Sequence, residues 1–267
     1  METAGQPEQV FTERRGAIGT VVLNRPAVHN AFTYEMWRSI ARGVRELGAD
    51  PDVRVIVVRG AGERAFASGA DIAEFPRHRG TAEQATVYHA AVEDALGALA
   101  AVEQAVIAMI HGYCIGGGCE LAIACDLRIA DDRAQFGIPA ARLGVVLGVE
   151  ELRHLLGLVG MGAAKEILFT GRLLDADEAL RVGLVNRVVP PGDLAATVQG
   201  LAERIAANAP IAIAAAKDLL ARVQRGESPD ALATAQAAFS RRAFASADYR
   251  EGVRAFLEKR PARFTGR

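Results

Sequence analysis

Val106-Ile107-Ala108-Met109-Ile110-His111-Gly112-Tyr113-Cys114-Ile115-Gly116-Gly117-Gly118-Cys119-Glu120-Leu121 is the stretch on which the fold turns. Its first five residues make a short apolar run suited to a strand buried on both faces, as in a parallel sheet. Glycines break the run, a helix follows around Glu120 to Ala124, and Leu127 to Ala130 is the next strand. The same order of events precedes it. Ile18 to Leu23 reads as a strand ended by Asn24-Arg25-Pro26, and Thr33 caps a helix to about Gly48 with Met36, Ile40, Val44 and Leu47 at helical spacing. Val53 to Val58 is a β-branched run broken by Arg59-Gly60-Ala61-Gly62, and Thr81-Ala82-Glu83-Gln84 is a capping box opening a helix to about Val102. Strand, turn and helix alternate, so the class is α/β.

From about Val149 onward the pattern is largely helical, with one strand expected at Leu184 to Val189. Asp175 to Glu178 reads as a second capping box. Leu194, Val198, Leu201 and Ile205 make an apolar stripe, Ser228-Pro229-Asp230 is a strong helix start, and Asp248-Tyr249-Arg250-Glu251 opens the last helix. The expected organisation is an α/β core over residues 1–190 and a C-terminal helical region over 191–267.

Composition narrows the function. Lys+Arg 31 against Asp+Glu 32 in 267 residues gives a net charge of -1, which cannot supply the basic surface that nucleic acids require. At 51% hydrophobic and 24% charged the chain is of ordinary globular make-up. Alanine is about one residue in five, aromatics are 6% and glycines number 27, so the core is packed from small side chains and backbones approach closely. Cys114, Cys119 and Cys125 lie in one apolar segment without zinc-ligand spacing, which points to reduced, buried thiols in a cytoplasmic protein and to no metal. The polar segment Met1 to Gly16 lacks the pattern of a signal peptide, and Ala105 to Ala130 is interrupted by His111, Glu120 and Asp126, too soon for a membrane span.

The glycine turn sits where a dinucleotide fingerprint would, but the third glycine of that fingerprint falls on Leu121, so nicotinamide binding is not supported. Three glycines can serve only to turn a strand into a helix, and a first-turn glutamate can serve only the helix dipole. A helix starting near Gly117 nevertheless leaves backbone N–H groups free, and Glu120 one turn in leans back toward whatever they hold. Its apolar neighbours favour a raised pKa, hence a general base beside an oxyanion donor, the arrangement for enolate chemistry. A second small-residue turn, Ala65-Phe66-Ala67-Ser68-Gly69-Ala70-Asp71-Ile72, follows the Val53 to Val58 strand and could offer another exposed N–H.

Together, Ala65 to Ile72 and Ile110 to Leu121 resemble the two signature segments of the enoyl-CoA hydratase/isomerase (crotonase) family. The likeness extends through Ala134 to Gly137, Leu168 to Gly171, Ala179 to Asn186 and Phe256 to Arg260, about 240 residues in order. The resemblance implies a spiral of ββα units with a C-terminal helical part that assembles trimers or hexamers. It implies an acyl-CoA thioester, with no cofactor beyond the coenzyme A of the substrate, whose carbonyl lies between the N–H groups of Ala70 and Gly117. Glu120 matches the family's first hydratase glutamate. Asp71, Ile72, Arg25, Val28, Phe256 and Lys259 are the further substrate-binding candidates the resemblance implies.

The chain departs from the hydratase pattern at the second glutamate, which Gln135-Phe136-Gly137-Ile138-Pro139-Ala140 replaces by Ala140. The loop beyond it, Leu143 to Glu151, is also altered, and either Glu150 or Glu151 is a candidate to supply the missing acid. The plainer expectation is that both are a solvated start to the next helix. The lysine that contacts CoA in relatives is Ala73 here, which leaves Arg25 and Lys259 as candidates for the phosphates. His111, at the mouth of the turn, is expected to satisfy a backbone carbonyl. The expected activity is hydration of a 2-enoyl-CoA. The alternatives are isomerisation, decarboxylation or hydrolysis with Glu120 alone, or a non-catalytic acyl-CoA-binding subunit.

Overall fold

A computed structural model describes residues 8–266. Elements β1 (Val10–Arg15), β2 (Ile18–Leu23), α1 (Tyr34–Ala49), β3 (Val55–Gly60), β4 (Ala65–Ala67), α2 (Phe75–His78), α3 (Ala82–Ala101), β5 (Ala105–Ile110), β6 (Tyr113–Ile115) and α4 (Gly117–Ala124) make the first half. Then come β7 (Leu127–Asp131), β8 (Gln135–Gly137), α5 (Ala140–Leu143), α6 (Val149–Thr170), β9 (Leu174–Asp175), α7 (Ala176–Arg181), β10 (Arg187–Val189), α8 (Leu194–Ala206), α9 (Pro210–Gln224), α10 (Pro229–Ala245) and α11 (Ala247–Leu257).

Two sheets result, a six-stranded one in the order β1-β2-β3-β5-β7-β10 and a four-stranded one in the order β4-β6-β8-β9. From β3 to β8 each turn of the chain lays a strand in the first sheet, then a short one in the second, so the α/β expectation resolves into a spiral of ββα units. Pairing is parallel except at the β1–β2 and β8–β9 edges. β5 lies inside the larger sheet between β3 and β7, which explains its unbroken apolar run. One side of that sheet packs on α1, α3 and α4 through Trp37, Ile40, Leu99 and Leu121. Its other side packs on α8, whose Leu194, Val198 and Ala202 meet Val55, Val57, Ile107 and Ile129. Thus α8 covers the sheet, and α9 is tied to the start of β5 through Lys217, whose Nζ donates to Leu99 O (2.8 Å) and Gln104 O (3.0 Å).

Local signals act where the sequence places them. The Thr33 hydroxyl accepts from Met36 N (3.1 Å), and Thr81 and Gln84 make both arms of the capping box. At Asp175 only one arm forms, because the Glu178 carboxylate is drawn to Arg172 instead (2.8 Å). The expected strand at Leu184 to Val189 is confined to Arg187–Val189, since Leu184 and Val185 turn into the core. The last helix starts one residue earlier than Asp248, capped by Ser246, and Asp248 accepts from the Thr265 and Gly266 amides (2.6 and 2.8 Å). β1 carries no apolar alternation strong enough to read: it is an edge strand with only Val10 buried, where charged side chains are tolerated. The signal-peptide reading falls partly on residues 1–7, outside the described residues. All three cysteines are free and buried, and among the described residues no helix is long and apolar enough to cross a membrane.

Candidate active site

The two turns meet because β4 and β6 are parallel neighbours, with Ala65 opposite Tyr113 and Ala67 opposite Cys114, so their C-terminal ends emerge side by side. The first turn is stapled to the segment before α1: Ser68 N donates to His29 O (3.0 Å), Phe32 N to Gly69 O (2.8 Å) and Asp71 N to Phe32 O (2.8 Å). Asn30, fully buried and left-handed (φ 55), holds that segment through Nδ2 to Ala65 O (2.8 Å) and Oδ1 from Arg25 N (2.9 Å). These bonds use the Gly69 carbonyl and the Asp71 N–H on either side of Ala70, and among the described residues the Ala70 N–H has no protein partner. Gly117, first residue of α4, has an N–H that no intrahelical carbonyl can reach.

Close approach of the turns requires glycine. Gly69 (φ 102) and Gly116 (φ 52) adopt left-handed backbone, and a Cβ on Gly69 would lie 3.1 Å from Ile115 O. Beside them opens a cavity of about 620 Å³ lined by Ala70, Gly117, Glu120 and Trp37. Trp37 donates from Nε1 to the Tyr88 hydroxyl (3.0 Å) and lies 4.4 Å from the Phe32 ring centroid, so that wall is rigid. The mouth is apolar, built from Leu143, Val145, Val146 and Leu147.

Glu120 is half-buried in this cavity. Its pKa is pushed up to about 7, first by removal from water and second by the negative charge of Glu151, with the Arg79 guanidinium opposing. The helix dipole and free amides at its base complete an arrangement that stabilises an enolate oxygen while a carboxylate acts as base nearby.

Glu150 and Glu151, adjacent in sequence, part company. Glu150 is exposed and paired with Arg153 (2.6 Å), as a solvated helix start should be. Glu151 corrects that expectation: it is 3% exposed, lines the cavity with Glu120, and its Oε2 is buried with no hydrogen-bond partner. Adjacent helical positions point about 100° apart, which turns one inward and the other out. Ala140 lines the same cavity and brings only a methyl group.

The structure brings together Ala70, Gly117, Glu120, Ala140 and Glu151, and keeps the remaining candidates outside the cavity lining. Arg25 is tied to Ala31 O (2.7 Å) and Asp71 (3.0 Å), and Asp71 caps the turn that follows it. Val28 and Ile72 are exposed, as are Phe256 on α11 (83%) and Lys259 just beyond it. His111 satisfies no carbonyl with its side chain: Nε2 is buried without a partner, and burial lowers its pKa. It faces a separate small cavity with Asp131 and Arg133.

Three cavity residues carried no functional signal in the sequence. Trp37 stands outside the stripe of Met36, Ile40, Val44 and Leu47 read for α1, yet it is buried with them. Arg79, over the Tyr88 ring (3.9 Å), and His89 on α3 stand in segments without motif.

The enoyl-CoA hydratase/isomerase family model matches residues 13–267. The chain belongs to the enoyl-CoA hydratase/isomerase family. It is 37% identical over 251 residues to the short-chain-enoyl-CoA hydratase of Clostridium acetobutylicum, covering 94% of this chain and 95% of the relative. It is 36% identical over 257 residues to the crotonyl-CoA hydratase of Syntrophomonas wolfei, covering 96% and 98%. The crystal structure of an enoyl-CoA hydratase/carnithine racemase from Magnetospirillum magneticum superposes with a TM-score of 0.92 at 42% identity, covering 98% of this chain and 97% of that one. The spiral of ββα units is therefore the crotonase fold, and the chain is a member of an enzyme family acting on acyl-CoA thioesters.

Proposed function

We propose that this crotonase-family chain hydrates a 2-enoyl-CoA to the 3-hydroxyacyl-CoA. The observation that carries the reading is the pair of unpartnered N–H groups, Ala70 and Gly117, beside Glu120 in one cavity. The thioester carbonyl sits between the two amides. Ionised Glu120 takes a proton from water as the water oxygen bonds to Cβ, and the Cα=Cβ electrons move onto the carbonyl oxygen. Each oxyanion donor is worth about 3–4 kcal/mol to that developing charge. The enolate then collapses and Cα takes a proton. The reaction needs no cofactor beyond the coenzyme A carried by the substrate.

Ala140 favours one rival: another reaction of the same enolate, isomerisation, decarboxylation or hydrolysis, with Glu120 alone. Loss of the conjugated double bond of crotonyl-CoA separates them. Wild-type hydration far faster than that of Glu120→Gln supports the proposal, and equal rates overturn it. A non-catalytic binder would instead perturb the emission of the single tryptophan, Trp37, on adding acyl-CoA without turning over any thioester.

Assembly as a homotrimer, or a hexamer of two trimers, is part of the proposal. Phe244, Tyr249, Val253, Phe256 and Leu257 leave an apolar surface on α10 and α11 that a second copy would cover. Phe256 and Lys259 would touch substrate only if α11 reached the cavity of a neighbouring copy. The three buried thiols fit a reducing cytoplasm.

A further inference from the structure

We propose that Glu151 is the acid that protonates Cα in this site, supplying from the altered loop what Ala140 no longer provides; the inference rests on enoyl-CoA hydration as the reaction.

Four observations converge on it. Glu151 is 3% exposed, yet among the described residues its Oε2 has no hydrogen bond and no cation pairs with it. A buried carboxylate oxygen without a partner only costs stability in the free protein, so its retention is explained by what it does to a ligand. Second, it lines the same cavity as Glu120 and is close enough for its charge to raise the Glu120 pKa. Third, the loop makes room for it: a Cβ on Gly148 would stand 2.3 Å from Glu151 Oε2 and 2.8 Å from His89 Nε2. Fourth, Ala140 removes from the same wall the bulk a longer side chain would put there. The other ionisable groups lining the cavity are Arg79, which lies over the Tyr88 ring and acts on Glu120 by its charge, and His89, whose Nε2 meets Glu93 (3.2 Å).

The step balances. Glu120 gains the proton that water loses as the C–O bond forms at Cβ, and the enolate's electron pair takes the Glu151 proton to form the Cα–H bond. Proton transfer from Glu120 to Glu151 restores the start, and the net change is addition of one water across the double bond. In reverse, protonated Glu120 assists departure of the hydroxyl while Glu151 removes the Cα proton, so one proton shared by the two carboxylates serves both directions.

The test compares Glu151→Gln, Glu150→Gln, Glu120→Gln and the double variant Glu151→Gln/Ala140→Glu in two assays: crotonyl-CoA hydration, and exchange of Cα hydrogen of butyryl-CoA in deuterated water. Trp37 emission on titration with butyryl-CoA reports binding independently of chemistry. Loss of a general acid predicts that Glu151→Gln slows hydration by about 10²- to 10⁴-fold and abolishes exchange while still binding. Glu150→Gln stays at the wild-type rate, Glu120→Gln retains exchange, and Ala140→Glu recovers at least about tenfold of the lost hydration. Hydration and exchange in Glu151→Gln within about threefold of wild type overturn the proposal. So does a wild-type enzyme without exchange. Wild-type exchange that depends on Glu151, without hydration, overturns the reaction and leaves the acid assignment standing.

Discussion

Replacing Glu120 by Gln keeps the side-chain shape and removes its titration, which has a consequence for stability opposite in sign to its consequence for turnover. Folded, this carboxyl keeps its proton to about 7, whereas its ordinary value is 4.5. Between those values the folded state binds more proton than the unfolded state, so stability falls as pH rises through the window. At about 1.4 kcal/mol per pH unit, the interval is worth roughly 3 kcal/mol, absent below the unfolded value and complete above the folded one. Glu120→Gln does not suffer this loss. Between pH 5 and pH 8 the variant should gain about 2–3 kcal/mol on wild type, or roughly 5–10 °C in Tm for a chain of this size, while losing hydration by about 10²-fold or more. Guanidinium or thermal unfolding of both proteins at the two pH values measures it. Stability differences that match at pH 5 and pH 8 to within about 0.5 kcal/mol would mean that Glu120 titrates as an ordinary surface carboxylate, and the desolvation argument would fall. With one proton shared by the pair and needed on Glu151 while Glu120 is ionised, wild-type kcat/KM should fall above about pH 7 as that proton is lost.

Gly118→Ala would place a Cβ 2.3 Å from Ala67 O and 2.9 Å from Ala67 Cβ, forcing the two turns apart and with them the Ala70 and Gly117 amides. Loss of one oxyanion donor predicts a fall in kcat of about 10²- to 10³-fold with a smaller change in KM; kinetics within about threefold of wild type would show that the turns tolerate the shift. Burial pushes the Cys125 thiol up to about 12 and that of Cys114 well above its ordinary value, so Ellman's reagent should find no reactive thiol in the native protein and three after denaturation. Reaction of Cys114 or Cys125 faster than global unfolding would contradict their placement.

Much of this site is legible in the sequence because its parts are local. The strand, the glycine break and the first-turn glutamate stand within one stretch, and the directions of strand and helix axes fix where Glu120 points. The capping residues Thr33, Thr81 and Ser228 likewise act on amides three residues away. What was not legible depends on distant pairing. β1 is a strand only because β2 offers it an edge, as its Val10–Leu23 and Arg15–Ile18 partners show. Arg79 enters the site because Phe75 and Tyr88 offer their rings, at 4.7 and 3.9 Å, and neither contact follows from the local pattern. Phe256 and Lys259 show the reverse case: the motif is present, but within a single chain it lies outside the cavity lining, so a role in binding depends on a neighbouring copy.

Glu151 falls between these cases. That an acid should stand somewhere in the loop follows from the chemistry once position 140 is alanine, but which of two neighbouring glutamates turns inward is set by the phase of α6. That phase is fixed by Leu155, buried four residues on and therefore on the same face as Glu151, whereas Glu150 shares its exposed face with its partner Arg153. Protonation at Cα constrains where the proton is delivered in space, not the sequence position that delivers it. The wall facing Glu120 is approached by two segments, the start of α5 and the start of α6, so a carboxylate can pass from one to the other if the first becomes small and the second gains clearance. Ala140 meets the first condition and Gly148 the second, which is why Gly148→Ala, with a Cβ 2.3 Å from Glu151 Oε2, should damage the reaction as specifically as removal of the carboxylate itself.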